Sequence, residues 1–442
     1  MAQSRSGQLV RGIGPVAATA LVAGNIVGSG IWVIPASLAT VAGPLSLVAW
    51  GLCAAAFLCL TSVFADLGQA YPISGGPQAF VQRAFGGFAG LQGFFLYWIS
   101  QVIGNAAYLT AFVGYLAVLR PAAGAPLAAF LAAQALLWSL TFVNILGARV
   151  GGAVQVTATI LKIVPLLILA VPLLAHASVA NARPFAPHGL AALFPALSLL
   201  AWIYLGSESV TVPAEEVLGA GRTIRRSAYV GFGIATAVYL LIAVALTFGL
   251  PASAIADTPS PLAVAARQVL GPWGETLVTL GALVSILGVL NGWLLVTGRL
   301  PYAAAREGLV PASLGRVLAR TGTPATSLLL SSCLTGGLVL LYFVKTLLGA
   351  YNFIALLSTC TSLVAIGGAC AAEIVLLRRE PDRFTPAQRR RGPYTAGVGL
   401  AAVSMLVVGA GGWVALLTLL SMLPPAAYYA VRARRRSAGG SA

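Results

Sequence analysis

Long apolar runs alternate with short polar connections along the chain, and within each run the apolar residues are continuous. A helix needs about 20 such residues to cross the hydrocarbon core of a bilayer. The runs predict twelve spans, near 13–36, 43–68, 88–118, 124–146, 150–175, 192–215, 228–250, 274–303, 325–343, 350–377, 395–410 and 412–431. A membrane β-barrel would show short segments of alternating polarity instead. The pattern therefore implies an all-α polytopic membrane protein. No connection is long and polar enough for a soluble domain, so residues 1–442 read as one transmembrane domain.

Two spans are interrupted in their middle. The first contains Gly24-Asn25-Ile26-Val27-Gly28-Ser29-Gly30, followed by Pro35. At 1.5 Å per residue from residue 12, Gly28 falls roughly 24 Å along the span, past the bilayer centre. The sixth contains Trp202-Ile203-Tyr204-Leu205-Gly206-Ser207-Glu208-Ser209, with Pro213 behind it, and reaches a comparable depth from the other side. Glycine adopts non-helical angles cheaply, so both stretches are expected to unwind. Freed backbone groups cannot face lipid and must line a hydrated cavity inside the protein.

Spans one to five (13–175) and six to ten (192–377) correspond weakly, each half opening on a broken span. Residues 395–431 are left as two extra helices. This is the pattern of a 5+5 inverted-repeat transporter. Amides at a half-helix start can hold a carboxylate, and carbonyls at a half-helix end an ammonium. Two facing breaks can thus grip the zwitterionic head of an α-amino acid. The spacing Gly24-x-x-x-Gly28 also suits close helix packing.

Composition agrees with lipid as the main solvent. The chain of 442 residues is 59% hydrophobic and 8% charged, against roughly a quarter charged in soluble domains. A net charge of +16 raises the question of nucleic acid. With a cytoplasmic N-terminus, 20 basic residues fall on the cytoplasmic side: Arg5, Arg11, Arg83, Arg149, Arg222, Arg225, Arg226, Arg306, Arg316, Arg320, Arg378, Arg379, Arg383, Arg389 to Arg391, Arg432 and Arg434 to Arg436. Only 4 fall opposite, Arg120, Arg183, Arg267 and Lys345. That asymmetry is the positive-inside rule. It implies an inner-membrane protein with both termini cytoplasmic and leaves nucleic acid nothing to explain. The first run is too long, and too rich in glycine and polar residues, for a cleaved signal. Cys53, Cys59, Cys333, Cys360 and Cys370 lie in apolar runs without metal-ligand spacing and read as small buried hydrophobes. His176 and His188 share one loop and receive no role.

Glu208 and Lys162 are the acid and the base expected near mid-membrane. Each costs on the order of 3 kcal/mol at a helix centre, which makes function the default reading. Desolvation disfavours a fixed charge there, so both suit uptake and release of protons during transport; the competing role is an ion pair that sets helix register. Asp66, Arg299 and Glu373, nearer span ends, suit helix-end pairing or snorkelling. Trp202, Trp293, Tyr97 and Trp98 could form a box for a flat or cationic side chain.

Together these motifs resemble the amino acid–polyamine–organocation permeases over nearly the whole chain. The matching pieces begin with Gly24 to Ile31, then Ala65-Asp66-Leu67 through Pro72-Ile73-Ser74-Gly75-Gly76 and Ala214-Glu215-Glu216-Val217. Gly298-Arg299, Ala305 to Pro311 and Gly322-Thr323-Pro324 follow. Leu96-Tyr97-Trp98, Ile103-Gly104-Asn105, Trp202-x-x-Leu205-Gly206-x-Glu208-Ser209 and Gly292-Trp293 are most similar to the bacterial arginine/agmatine antiporter subgroup. The resemblance implies a LeuT-like fold with discontinuous helices 1 and 6. It also implies roles. Amides around Ser29 and Gly30, beside Asn25, would hold a substrate carboxylate, and carbonyls of Ile26, Trp202 and Leu205 its amine. Trp202 and Trp293 would stack on the side chain, Asn105 would position it, and Glu208 would be the proton-sensitive acid. Lys162 departs from that subgroup and looks like the fifth-span lysine of proton-coupled and exchanger relatives.

The expectation is a secondary transporter for amino acids or related amines, proton-linked or exchanging, with no cofactor and no metal. Obligate exchange of a cationic amino acid for its decarboxylated amine is one alternative, and a non-transporting membrane sensor another. An enzyme would need a nucleophile–base or metal set within a span, and none is visible. Substrate, protons and membrane lipid are the expected partners, with a second copy of the chain admissible.

Overall fold

The computed structural model describes residues 12–343 and 347–439. Arg5, Arg11 and Lys345 of the charge asymmetry lie outside the described residues, as do the side chains of Arg149 and Arg434 to Arg436. Among the described residues, ten helices are long and apolar enough to cross a membrane, and Thr159–Ala175 and Ala325–Leu341 add two shorter apolar ones. Together they occupy the twelve expected spans.

The first span is two half-helices, α1 (Pro15–Ile26) and α2 (Gly30–Val41). It is followed by α3 (Ser46–Ala70), the short α4 (Pro77–Phe85), α5 (Gly87–Leu119), α6 (Pro126–Ile145) and α7 (Ala148–Ala175). The sixth span is helical only over α8 (Leu193–Tyr204) and continues as turns at Ser209–Thr211 and Ala214–Glu216. Next come α9 (Ala220–Gly249), α10 (Pro261–Arg306), α11 (Ala325–Leu338) and α12 (Leu347–Arg379). Last are α13 (Pro386–Gly409), α14 (Gly412–Leu420) and α15 (Leu423–Gly439).

Proline opens α1, α4, α6, α10 and α13 in their first turn, where its missing N–H costs nothing and its fixed φ already suits the helix. At α13 a capping box between Thr385 and Gln388 adds to this, each side chain satisfying a backbone N–H of the other. Three features escaped the hydropathy pattern. Helix α4, with Gln78, Gln82 and Arg83, is too short and too polar to register as a span. The eighth span starts earlier than expected, because α10 runs on from Pro261 through a kink at Gly271 (φ 74°). The twelfth divides at Ser421 and Met422 into α14 and α15.

The first span is almost wholly buried and the sixth and eighth largely so, while the last is mostly exposed. Helix α1 packs on α7, α9 and α10, α5 on α10 and α12, and α2 on α8. The two broken spans therefore lie at the centre of the bundle, with the remaining helices around them.

Candidate substrate site at two broken helices

In the first span the chain leaves the helix at Val27 (φ −70°, ψ 76°). The Gly28 N–H turns to the carbonyl of Ile26 (2.6 Å) and so deserts the Gly24 carbonyl, its partner in a continued helix. Lys162 of α7 takes over. Its ammonium donates to the carbonyls of Gly24 (2.6 Å) and Val27 (2.8 Å), and the side chain is fully buried (0% exposed). A cation at a helix C-terminus satisfies both the orphan carbonyls and the negative end of the helix dipole.

In the sixth span Leu205 is extended (φ −61°, ψ 139°) and Gly206 has φ 134°, a backbone conformation that disfavours any side chain. Space enforces the same choice, since a Cβ on Gly206 would lie 2.9 Å from the Ile26 nitrogen. The two breaks thus touch. The Gly206 N–H, turned from the Trp202 carbonyl, donates to Glu208 Oε2 (3.0 Å). Tyr97 donates to Glu208 Oε1 (3.1 Å). Tyr239 of α9 ties the breaks together, its single hydroxyl proton shared between the Ile26 carbonyl and, at 3.2 Å, that of Ile203.

Around this junction Trp202 Nε1 donates to the Tyr351 hydroxyl (2.9 Å), which is 3.1 Å from Ser29 Oγ. The Trp202 ring packs on Tyr108, with centroids 5.2 Å apart. It lies so close to Gly104 that a Cβ there would come within 3.0 Å of the ring. Asn105 Nδ2 donates to Thr297 Oγ1 (3.2 Å), which in turn donates to the Trp293 carbonyl (2.6 Å). Asn25, Ser29, Gly30, Tyr97, Asn105, Trp202, Trp293 and Glu208 are all buried. Yet both polar atoms of the Asn25 side chain, Asn105 Oδ1 and Trp293 Nε1 find no hydrogen-bond partner among the described residues. Buried polar groups are nearly always paired; these three side chains keep polar atoms available to a solute, as do Gln78, Thr279 and Glu373 elsewhere among the described residues.

Beyond the sixth-span break, buried charges pair across elements. Glu216 and Arg299 form a buried pair, 1% and 2% exposed at Arg299 and Glu216, with Nε–Oε1 at 2.5 Å and Nη2–Oε2 at 3.1 Å. The Glu216 carbonyl accepts from the N–H groups of Gly12 and Ile13 (both 3.0 Å), clamping the chain before α1 against the turn after the sixth span. Asp66 accepts from Arg225 and Arg391 (each 2.8 Å) and Gln388 (3.0 Å). Both arrangements fit the pairing read from the sequence. Glu373 is buried and its carboxylate oxygens are unpartnered among the described residues. Nearer the surface, Arg83 clasps Glu380 (2.7 Å) and holds its carboxyl below the usual range.

Of the sequence-selected residues, the structure gathers Asn25, Ile26, Ser29, Gly30, Trp202, Leu205 and Glu208 at the two breaks. Lys162 and Tyr97 reach them through hydrogen bonds, and Asn105 and Trp293 are joined through Thr297. The Ile26 carbonyl, expected to accept an amine, already accepts from Tyr239. Trp98 leaves the expected box, stacking on Phe94 (5.7 Å) and donating to Ser331 of α11 (2.9 Å). Tyr108, Tyr239 and Tyr351 were missed. The available signal was a phenol within an apolar run, since a buried Tyr hydroxyl usually needs a partner.

A polytopic helical bundle with two facing broken helices and a buried polar junction is the architecture of a membrane transporter. The comparisons agree: the amino acid permease family model matches residues 13–429, and the chain belongs to that family. It is a transporter of amino acids or related amines and not an enzyme. The chain is 30% identical over 336 residues to a cadaverine/lysine antiporter of Escherichia coli, covering 74% of each chain. It is 28% identical to an arginine/ornithine antiporter of Pseudomonas aeruginosa, covering 94% of this chain and 89% of that one. To a branched-chain amino acid permease of Bacillus subtilis it is 25% identical, over 96% and 92%.

Proposed function

We propose that the two breaks bind the head group of an amino acid or amine and that the protein exchanges such solutes by alternating access, with a cationic amino acid as one of them. The observation that carries this reading is the set of orphaned polar atoms on Asn25, Asn105 and Trp293 beside the breaks. The first turn of α2 offers N–H groups around Ser29 and Gly30 that no intrahelical carbonyl can satisfy; they receive the carboxylate. The Trp202 and Leu205 carbonyls receive the ammonium, and the Ile26 carbonyl joins them when Tyr239 swings off. Trp293 and Trp202 flank the side chain. The two relatives that are antiporters of basic solutes support the cationic choice.

Proteoliposomes loaded with lysine, arginine, ornithine or cadaverine test this directly. Exchange is expected to need a substrate on both sides, and gradient-driven uptake into unloaded vesicles would replace it with proton-linked uptake. Lys162 on the Gly24 and Val27 carbonyls favours that second reading, because a titrating lysine there couples the bend of α1 to pH. Binding of these solutes without any movement would make the protein a sensor. We further place both termini in the cytoplasm, from the 20-to-4 distribution of basic residues. Replacement Trp293→Leu is expected to weaken cationic ligands by roughly tenfold through the lost cation–π contact, and small neutral ones little. Equal weakening of both would argue against stacking.

A further inference from the structure

A lateral groove opens between α1, α7 and α9, running along α1 up to Ala23. It has a volume of about 630 Å³, and Arg222 and Arg226 of α9 stand among its lining residues. Its wall is apolar and exposed at Val16, Ile160, Val230 and Ile234. Along α9 it runs from Arg222 to Ile234, roughly 18 Å at 1.5 Å per residue. That is close to the half-thickness of a bilayer hydrocarbon core of about 30 Å.

The first turns of α9 carry three arginines whose helical spacing separates them into two roles. Arg225 turns inward and pairs with Asp66 at 2.8 Å. Arg222 and Arg226, four residues apart on the groove face, are exposed and take part in no ion pair among the described residues. Two uncompensated guanidiniums thus sit at one end of an apolar slot that is one leaflet deep. Guanidinium matches a phosphate in bidentate geometry, and basic pockets between membrane helices take anionic headgroups.

We propose that this groove is a binding site for an anionic phospholipid, its phosphate held by Arg222 and Arg226 and one acyl chain lying along Val16, Ile160, Val230 and Ile234. The lipid would wedge between α7, α9 and α1, the half-helix whose broken end Lys162 holds.

The test is native mass spectrometry of the full chain, released from vesicles of phosphatidylglycerol and phosphatidylcholine in equal parts. Wild type should retain phosphatidylglycerol selectively. The double replacement Arg222→Gln/Arg226→Gln should reduce retention by roughly 30-fold, as expected for two interfacial charges. The surface pair Arg316→Gln/Arg320→Gln should change it little. Val230→Trp keeps both arginines and fills the slot, and should also abolish retention, which separates a seated lipid from surface attraction. The proposal fails if phosphatidylcholine is retained equally, or if the arginine replacements leave retention unchanged. It also fails if Val230→Trp binds as wild type does, or if inorganic phosphate alone displaces the lipid.

Discussion

The two broken helices solve the same problem with opposite means. At the first break the carbonyls freed at the end of α1 are held by a cation from another helix, Lys162. At the second the orphaned group is the Gly206 N–H, and an acid two residues along its own chain, Glu208, holds it. The first break is therefore fastened across helices and depends on where α7 stands. The second is held first within its own segment, with Tyr97 of α5 on the other carboxylate oxygen. Under the proposed exchange by alternating access, one element must be released while another keeps its shape, and Lys162 would be the releasable fastening.

Removing that fastening should have the largest effect. Lys162→Met preserves much of the apolar stem but strands the carbonyls of Gly24 and Val27. A hydrogen bond to a charged group contributes about 1.5–3 kcal/mol, so losing two should cut exchange flux by about 100-fold or more. Purified variant in proteoliposomes reads this directly, and its pH profile shows whether the lysine also carries the proton linkage. Flux within twofold of wild type would reduce Lys162 to a packing residue and erase the contrast between the breaks.

Much of this was legible in the sequence. Twelve apolar runs gave the spans, because lipid sets their length. The Gly28-Ser29-Gly30 and Gly206 interruptions gave both breaks, because helix-breaking residues at mid-membrane have few other uses. Lys162 and Glu208 stood out by the cost of burying them. The partners were not legible. Nothing local to Lys162 says that it reaches Gly24 and Val27, since that contact depends on how α7 packs against α1. Tyr239 shows the limit most clearly: its bridge joins carbonyls 213 and 36 residues away in sequence. Trp98 erred for a related reason, because adjacent residues on a helix point in directions about 100° apart. Tyr97 reaches Glu208 while Trp98 turns to α11. Helix α4 went unseen because hydropathy reports on lipid, and a short polar helix leaves no such signature.

The next contrast lies in the backbones. Gly206 combines φ 134° with a Cβ position 2.9 Å from a backbone nitrogen. At Gly28 the nearest atom to an added Cβ is the end of the Val289 side chain, also at 2.9 Å. A side chain can turn aside where backbone cannot. Gly206→Ala should therefore destabilise by about 1–3 kcal/mol, read as a lower thermal midpoint in detergent. Gly28→Ala should cost less, about 1 kcal/mol, at the low end for overpacking. Reversal of that order would mean that the first break, rather than the second, is the rigid one.

A comparably small effect is expected at Tyr239, whose hydroxyl reaches carbonyls of both broken spans. Tyr239→Phe keeps the ring, which packs on Trp50 (5.5 Å) and Tyr204 (5.5 Å), and removes only the hydroxyl. Its loss should cost about 1 kcal/mol, too little to unfold the protein. The Ile26 carbonyl would then be released for a substrate ammonium, and Ile203 would lose its tie to the first break. Affinity for an amino acid should rise slightly while turnover falls, because the two halves of the junction would no longer be held together between cycles. A binding isotherm and a flux measurement on the same preparation separate the two effects. If affinity and flux both fall, Tyr239 belongs to the binding site itself; if neither changes, the two breaks are coupled without its hydroxyl, through Gly206 packing on Ile26 and Tyr351 between Ser29 and Trp202.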